Sequence, residues 1–393
     1  MRKLYLHIGC GKTGSSALQV WLANNRQHLL SQHIVYPFPT PEKLGDYAIT
    51  SGNGLELVQR ITNGTVEPIL ADIMQRYPQD ILYSSEIFQT LDDDRLAHLQ
   101  TLAERLKLEV HIIAFVRDVY DMAYSTYLQH LKRHGYDQTF RVFGLTQTTL
   151  MQFQVVERFA KYFKNIRLLH YDTEKVTGLE KALCRCLGVD PAVLPPMSEK
   201  KVNRSLTYFE SQLLLLCNTC YKQQLGPAYA ETFCTIISDM IIGQSPERPT
   251  EIFYDAAVHE HFQRHMGEFV ATFNRVYFHD AGLSIFNPAG KTVIRDPSPL
   301  SEELSTLIKA LFRGFAYRLD KTPPAVAFRE KMIETLRDTA LSLEDTAVNQ
   351  AYFLMRAAQH FRRNGPLINQ KVREYGARLN AAKAAPPPVP GKS

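Results

Sequence analysis

Leu4-Tyr5-Leu6-His7-Ile8-Gly9-Cys10-Gly11-Lys12-Thr13-Gly14-Ser15-Ser16 decides the fold: an apolar strand-length run enters a glycine-rich turn carrying a lysine, and a helical pattern opens directly after it. Such a turn suits phosphate. Gly11 and Gly14 admit close backbone approach, the amides at the start of the helix point towards a ligand, and Lys12 supplies a cation. Thr13, Ser15 and Ser16 add hydroxyl groups. A Walker loop requires a glycine five residues before Gly11, and Leu6 stands there, so the Gly-x-x-x-x-Gly-Lys-Thr pattern is not met.

Further along, Val110-His111-Ile112-Ile113-Ala114-Phe115-Val116-Arg117-Asp118 reads as a buried strand ending in arginine, and Val119 to Gln129 reads as the helix that follows. Arg117 and Ser125 are spaced so that a fork at the strand end and a hydroxyl about two helical turns later can meet one phosphate. Asp80-Ile81-Leu82-Tyr83-Ser84-Ser85-Glu86 is a third strand-like run, ending in a carboxylate. Strands at 3–9, 80–85, 109–116 and 166–171 alternate with helical segments near 15–30, 92–106, 118–133 and 147–163. That alternation predicts an α/β fold with a parallel sheet, whose ligands lie at the carboxyl ends of the strands. Lys12, Glu86 and Arg117 all fall there.

The short lysine loop, continued as Ser15-Ser16-Ala17-Leu18-Gln19, and the Arg117/Ser125 pair together resemble the two phosphate motifs of sulfotransferases that use 3′-phosphoadenosine 5′-phosphosulfate. The resemblance covers residues 4–286 and is specific at those two motifs. It implies a sheet of P-loop/sulfotransferase type and a loop that grips the 5′-phosphosulfate through Gly11, Lys12, Thr13, Gly14, Ser15 and Ser16. It further implies a 3′-phosphate site at Arg117 and Ser125, and a later donor-contacting segment at Asn203, Arg204 and Ser205. Glu86 stands where relatives place the base that activates the acceptor, with His7 as the alternative. His130, Lys132, Arg133 and His134 would line the acceptor side. The implied reaction moves a sulfuryl group to a hydroxyl or amine of a small molecule or saccharide, as in bacterial carbohydrate sulfotransferases, with no metal and no nucleic-acid partner. The chain departs from eukaryotic cytosolic relatives: no aromatic closes the first loop, no glycine-rich donor motif follows Asn203, and Val119 stands where many relatives carry proline. A nucleoside or sugar kinase and a catalytically silent nucleotide-binding scaffold stay open as alternatives. The kinase would need a magnesium carboxylate and a full Walker loop.

The bulk composition sets the frame. The chain has 393 residues, 45% hydrophobic and 22% charged, with a net charge of +5, which suits an anionic nucleotide and falls short of a nucleic-acid-binding signature. No run reaches membrane-spanning length and no secretory leader is legible, so a cytoplasmic protein is expected. The six cysteines are scattered, and Cys217/Cys220 read as helix packing rather than a metal site, as His261 and His265 do. The expected organisation is an α/β domain over 1–286, a linker over 287–300, a helical extension over 301–382 and a Pro-rich disordered tail over 383–393. Tyr36 to Gly54 reads as a long loop. Gly290-Lys291-Thr292 repeats the letters of the first loop but follows a proline turn, which assigns it to the linker. The 301–382 helices could pair copies of the chain; their Arg362, Arg363, Lys371 and Arg373 read as a solvated face.

Overall fold

Near-continuous apolar runs are the mark of parallel strands covered on both faces. In the computed structural model they form a five-stranded parallel sheet in the order β2-β3-β1-β4-β5. The structure describes residues 1–37, 52–197, 204–244, 248–278, 282–298, 300–302, 304, 306, 308–309, 325–362 and 364–384. Asn203, most of the 36–54 loop, Arg363 and the Pro-rich tail from residue 385 lie outside them.

The strands are β1 (Arg2–Ile8), β2 (Ile34–Val35), β3 (Asp80–Ser85), β4 (Leu108–Val116) and β5 (Asn165–His170). Four of them fall within a residue of the expected positions. The two-residue edge strand β2 carries too short a pattern to be read. β1 is central: Leu6 pairs with Tyr83 of β3 on one side and with Ile112 of β4 on the other. Helices α1 (Ser15–Asn24), α2 (Arg26–Ser31), α3 (Gly54–Thr62), α4 (Val66–Arg76), α5 (Asp93–Arg105), α6 (Val119–Arg133), α7 (Phe140–Leu145), α8 (Met151–Ala160), α9 (Tyr171–Thr177) and α10 (Leu179–Leu187) flank or follow the sheet.

Alternation along the strands sorts the core. Tyr5, Leu82, Ile113, Phe115 and Leu169 pack with Leu18, Trp21 and Leu22 of α1 and with Leu183 and Leu187 of α10. Leu4, Leu6, Ile81 and Ile112 alternate with them and are also buried, with α5 and α8 packed on β4. Chain direction reverses across the sheet at β1, since the chain leaves β1 towards β2 and leaves β4 towards β5. Open α/β sheets bind ligands at such a point.

Later elements are α11 (Tyr208–Leu225), α12 (Pro227–Gln244) and α13 (Ala256–Tyr277), with a small parallel pair of β6 (Glu251–Phe253) and β7 (Thr292–Ile294). The chain divides into two compact units, one of residues 1–215 and 238–299, the other of 216–237 and 300–393. The second unit contains helices Ala325–Leu343, Val348–Phe361 and Pro366–Ala384 around Ile333, Met355, Ile368 and Tyr375. Its Lys371 is bound to Glu344 and Glu374. Among the described residues no helix is long and apolar enough to cross a membrane.

Candidate functional site

The loop between β1 and α1 turns through two left-handed residues, Lys12 at φ 68 and Gly14 at φ 76. Glycine is comfortable there; a lysine is held there at a cost of about 1 kcal/mol, so other contacts must fix it. Thr13 Oγ1 donates to the Cys10 carbonyl at 2.5 Å and lies 3.3 Å from Ser15 Oγ. Thr13 and Ser15 are buried, so their hydroxyls brace the loop from inside, while Ser16 is exposed at the helix start.

The glycine requirement falls differently from expectation. Gly11 has an ordinary φ and nothing within 4 Å of where a Cβ would sit. At Gly9 a Cβ would stand 2.6 Å from Glu86 Cγ and 2.8 Å from Ser15 Oγ, and at Gly14 it would stand 2.6 Å from Leu179. Gly9 is therefore the residue that lets β3 bring Glu86 against the loop. The Gly9 amide also donates to the Ser85 carbonyl at 3.1 Å.

Lys12 reaches across to α6 and donates to Gln129 Oε1 at 2.6 Å. Burial lowers its pKa, Glu86 opposes that, and Arg133 and Arg117 add to the lowering. Lys132 is buried, and desolvation, Lys12 and Arg133 bring it down to about 8. Arg133 pairs with Asp239 at 2.7 Å. The loop thus sits in a field of cations, with Glu86 the half-buried carboxylate beside it. The His130 and His134 rings lie 5.2 Å apart and tilted to each other, as residues one helical turn apart can.

Arg117 leaves β4 with its backbone gripped by Gln152, which accepts from its amide at 3.0 Å and donates to its carbonyl at 2.8 Å. The guanidinium fork engages Asp172 at 3.1 and 3.2 Å, approaches Asp121 at 3.4 Å and donates from Nη1 to the Lys12 carbonyl at 3.3 Å. Tyr171 covers one face at 4.9 Å. Arg117 thus joins the lysine loop directly, and no hydrogen bond joins it to Ser125, which is half-buried on the α6 side that carries Asp121 and Gln129. The first α6 amides, Val119 and Tyr120, donate to the Ser284 and Ile285 carbonyls, so this helix start is closed to anions.

Three expected placements are corrected. His7 lies wholly inside the sheet, Nδ1 2.7 Å from Ser84 Oγ, and burial lowers its pKa to about 4, so it is a neutral core residue out of reach of an acceptor. Arg204 is buried and holds Glu210 at 2.7 and 2.8 Å, leaving its fork occupied within the fold, while Ser205 is exposed. Gly290-Lys291-Thr292 is no linker: the Lys291 side chain is 2% exposed, with Nζ 2.5 Å from Asp121 and 3.8 Å from Asp172. Asp121, Asp172 and Lys291 were missed because nothing local marks them; they meet across 51 and 119 residues of sequence, from 121 to 172 and from 172 to 291.

Asp118, His170 and Asp172 lie close enough to share a metal ion. Asp172 is already faced by Arg117, Lys175 and Lys291, Asp118 Oδ1 accepts from the Ser284 amide and hydroxyl at 2.7 and 3.0 Å, and Asp118 Oδ2 lies 3.3 Å from His170 Nε2. A cation added there would meet three others. No family model, curated protein or solved structure matches this chain.

Proposed function

We propose that this protein is a sulfotransferase of the P-loop-related type, moving a sulfuryl group from 3′-phosphoadenosine 5′-phosphosulfate to a hydroxyl or amine of an acceptor, with a carbohydrate or glycoconjugate the expected class. The observation that carries the reading is the convergence, at the carboxyl ends of three adjacent parallel strands, of a left-handed lysine loop, a carboxylate set against it and an arginine bound to the loop's carbonyl.

In this reading Lys12, the α1 amides and Ser16 hold the 5′-phosphosulfate, and Lys12 stabilises the charge that grows on the bridging oxygen. The acceptor oxygen bonds to sulfur as the bond from sulfur to that bridging oxygen breaks. Glu86 takes the acceptor's proton, and 3′-phosphoadenosine 5′-phosphate leaves. Lys12 would exchange Gln129 for the donor. The Nε/Nη2 edge of Arg117 would exchange Asp172 for the 3′-phosphate, with Ser125 adding a hydroxyl, while Lys175 and Lys291 remain to neutralise Asp172.

The test is calorimetric titration with 3′-phosphoadenosine 5′-phosphate, AMP and magnesium ATP. Selective binding of the bisphosphate, lost in Lys12→Ala, supports the reading. Preference for magnesium ATP replaces it with a kinase, and binding of none of the three replaces it with a silent scaffold.

A further inference from the structure

Lys291 is delivered to the site by a turn its own sequence dictates. Asn287 Oδ1 accepts from the Ala289 amide at 3.0 Å, the Lys291 amide donates to the Pro288 carbonyl at 3.2 Å, and Gly290 takes φ 70, the third position of a turn that needs a left-handed residue. β7 then pairs with β6, Thr292 against Glu251, which fixes the direction in which the chain leaves the turn. A lysine side chain 2% exposed is costly unless its charge is met. Here Nζ meets Asp121 at 2.5 Å, stands 3.8 Å from Asp172 and donates to the Asn287 carbonyl at 3.1 Å.

The same two carboxylates flank Arg117, and Arg117 holds the Lys12 carbonyl. Two carboxylates facing one guanidinium would compete for it. Lys291 takes Asp121 at the shorter distance, 2.5 against 3.4 Å, so Asp121 does not draw Arg117 towards itself and Nη1 stays on the loop. The division shows in the charges: burial pushes Asp121 up against the pull of Arg117 and Lys291, whereas Arg117, Lys175 and Lys291 outweigh burial at Asp172 and hold it well below the usual range. Lys12 occupies left-handed backbone that a lysine does not choose, so the contact on its carbonyl matters to where the side chain points.

We propose that Lys291 is a positioning residue for the phosphate loop, acting through Asp121 and Arg117 on the Lys12 carbonyl. The inference rests on the sulfotransferase reading for its consequence in binding and on the geometry alone for its effect on the loop.

The experiment compares Lys291→Gln, which keeps a donor for Asp121 and removes the charge, with Lys291→Arg, which keeps both. It reads hydrogen exchange of the Gly11–Ser16 amides, exchange in α5 as a distant control, and calorimetric affinity for 3′-phosphoadenosine 5′-phosphate. Lys291→Gln is expected to speed loop exchange with α5 unchanged and to weaken the bisphosphate by about tenfold, with Lys291→Arg restoring both. Unchanged loop exchange in Lys291→Gln overturns the inference, as does an increase spread equally over α5, which marks a structural role only. Should wild type fail to bind the bisphosphate, the sulfotransferase reading falls, while the exchange data still decide whether Lys291 sets the loop.

Discussion

Gly11-Lys12-Thr13 and Gly290-Lys291-Thr292 are the same three residues in two places, and the fold uses them in opposite ways. In the first, the lysine itself takes the left-handed backbone, the threonine is buried against Cys10, and the ammonium group donates to the neutral Gln129 amide with Glu86, Arg133 and Arg117 around it. In the second, glycine takes the left-handed backbone, the threonine is exposed, and the ammonium group is enclosed by two carboxylates. A strand precedes one and a proline turn precedes the other. A lysine whose hydrogen-bond partner is a neutral amide keeps its charge for an anion; a lysine bound to a carboxylate has its charge already met. The letters alone carry neither outcome.

The comparison can be broken most directly by chemistry. Lys12→Ala should cut turnover by roughly a thousandfold or more, since it removes the cation at the developing charge, whereas Lys291→Gln should leave most of kcat and act on donor affinity. Equal losses of kcat in the two variants would show that the tripeptides share one role. Next in size, Glu86→Gln should lower turnover by about a hundredfold or more, with bisphosphate affinity held within a factor of about two. Lost binding in that variant would assign Glu86 to the loop rather than to proton transfer.

The glycines give a smaller and cleaner contrast, read by thermal or denaturant unfolding. Gly9→Ala should destabilise the protein by about 1–3 kcal/mol, because Glu86 and Ser15 stand where the methyl would go. Gly11→Ala should stay within about 0.5 kcal/mol of wild type, because its surroundings are open. A Gly11→Ala loss as large as that of Gly9→Ala would mean that Gly11, too, is closely packed.

Protonation sharpens the difference in surroundings. Lys132 lies at about 8 because burial, Lys12 and Arg133 disfavour its charge. A bound anion reverses part of that and raises the pKa, so between about 8 and the ordinary 10.5 the complex holds more protons than the free protein. Bisphosphate binding should therefore take up protons at about pH 8.5 and weaken as pH rises further. Calorimetry in two buffers of different ionisation enthalpy measures this, and proton release instead would place the anion away from Lys132. Smallest of all, Asp172→Asn should tighten bisphosphate binding by about threefold, by freeing the Arg117 fork from a competing carboxylate. A weakened complex would make Asp172 a support for Arg117 rather than its alternative partner.

What was legible follows from range. β1, β3, β4 and β5 could be read because strands buried on both faces need continuous apolar runs, and the lysine loop could be read because its turn, cation and helix start are contiguous. Gly9 was passed over in favour of Gly11 because the atoms that require a glycine belong to Glu86, 77 residues away, from 9 to 86. His7 was a candidate base because alternation along a strand does not tell whether a polar residue faces solvent or another strand's serine; here it faces Ser84. Arg204 looked available to a nucleotide until Glu210, in the first turn of α11, filled its fork.

By itself the sequence determined the α/β class, the parallel pairing and the edge of the sheet at which Lys12, Glu86 and Arg117 gather, since periodicity and chain alternation are local properties of the polymer. Only the tertiary structure decided which charges those residues meet. Pairings such as Arg117 with Asp172 and Lys291 with Asp121 are settled when distant segments are buried together, and burial is what turns a nearby opposite charge from an option into a requirement.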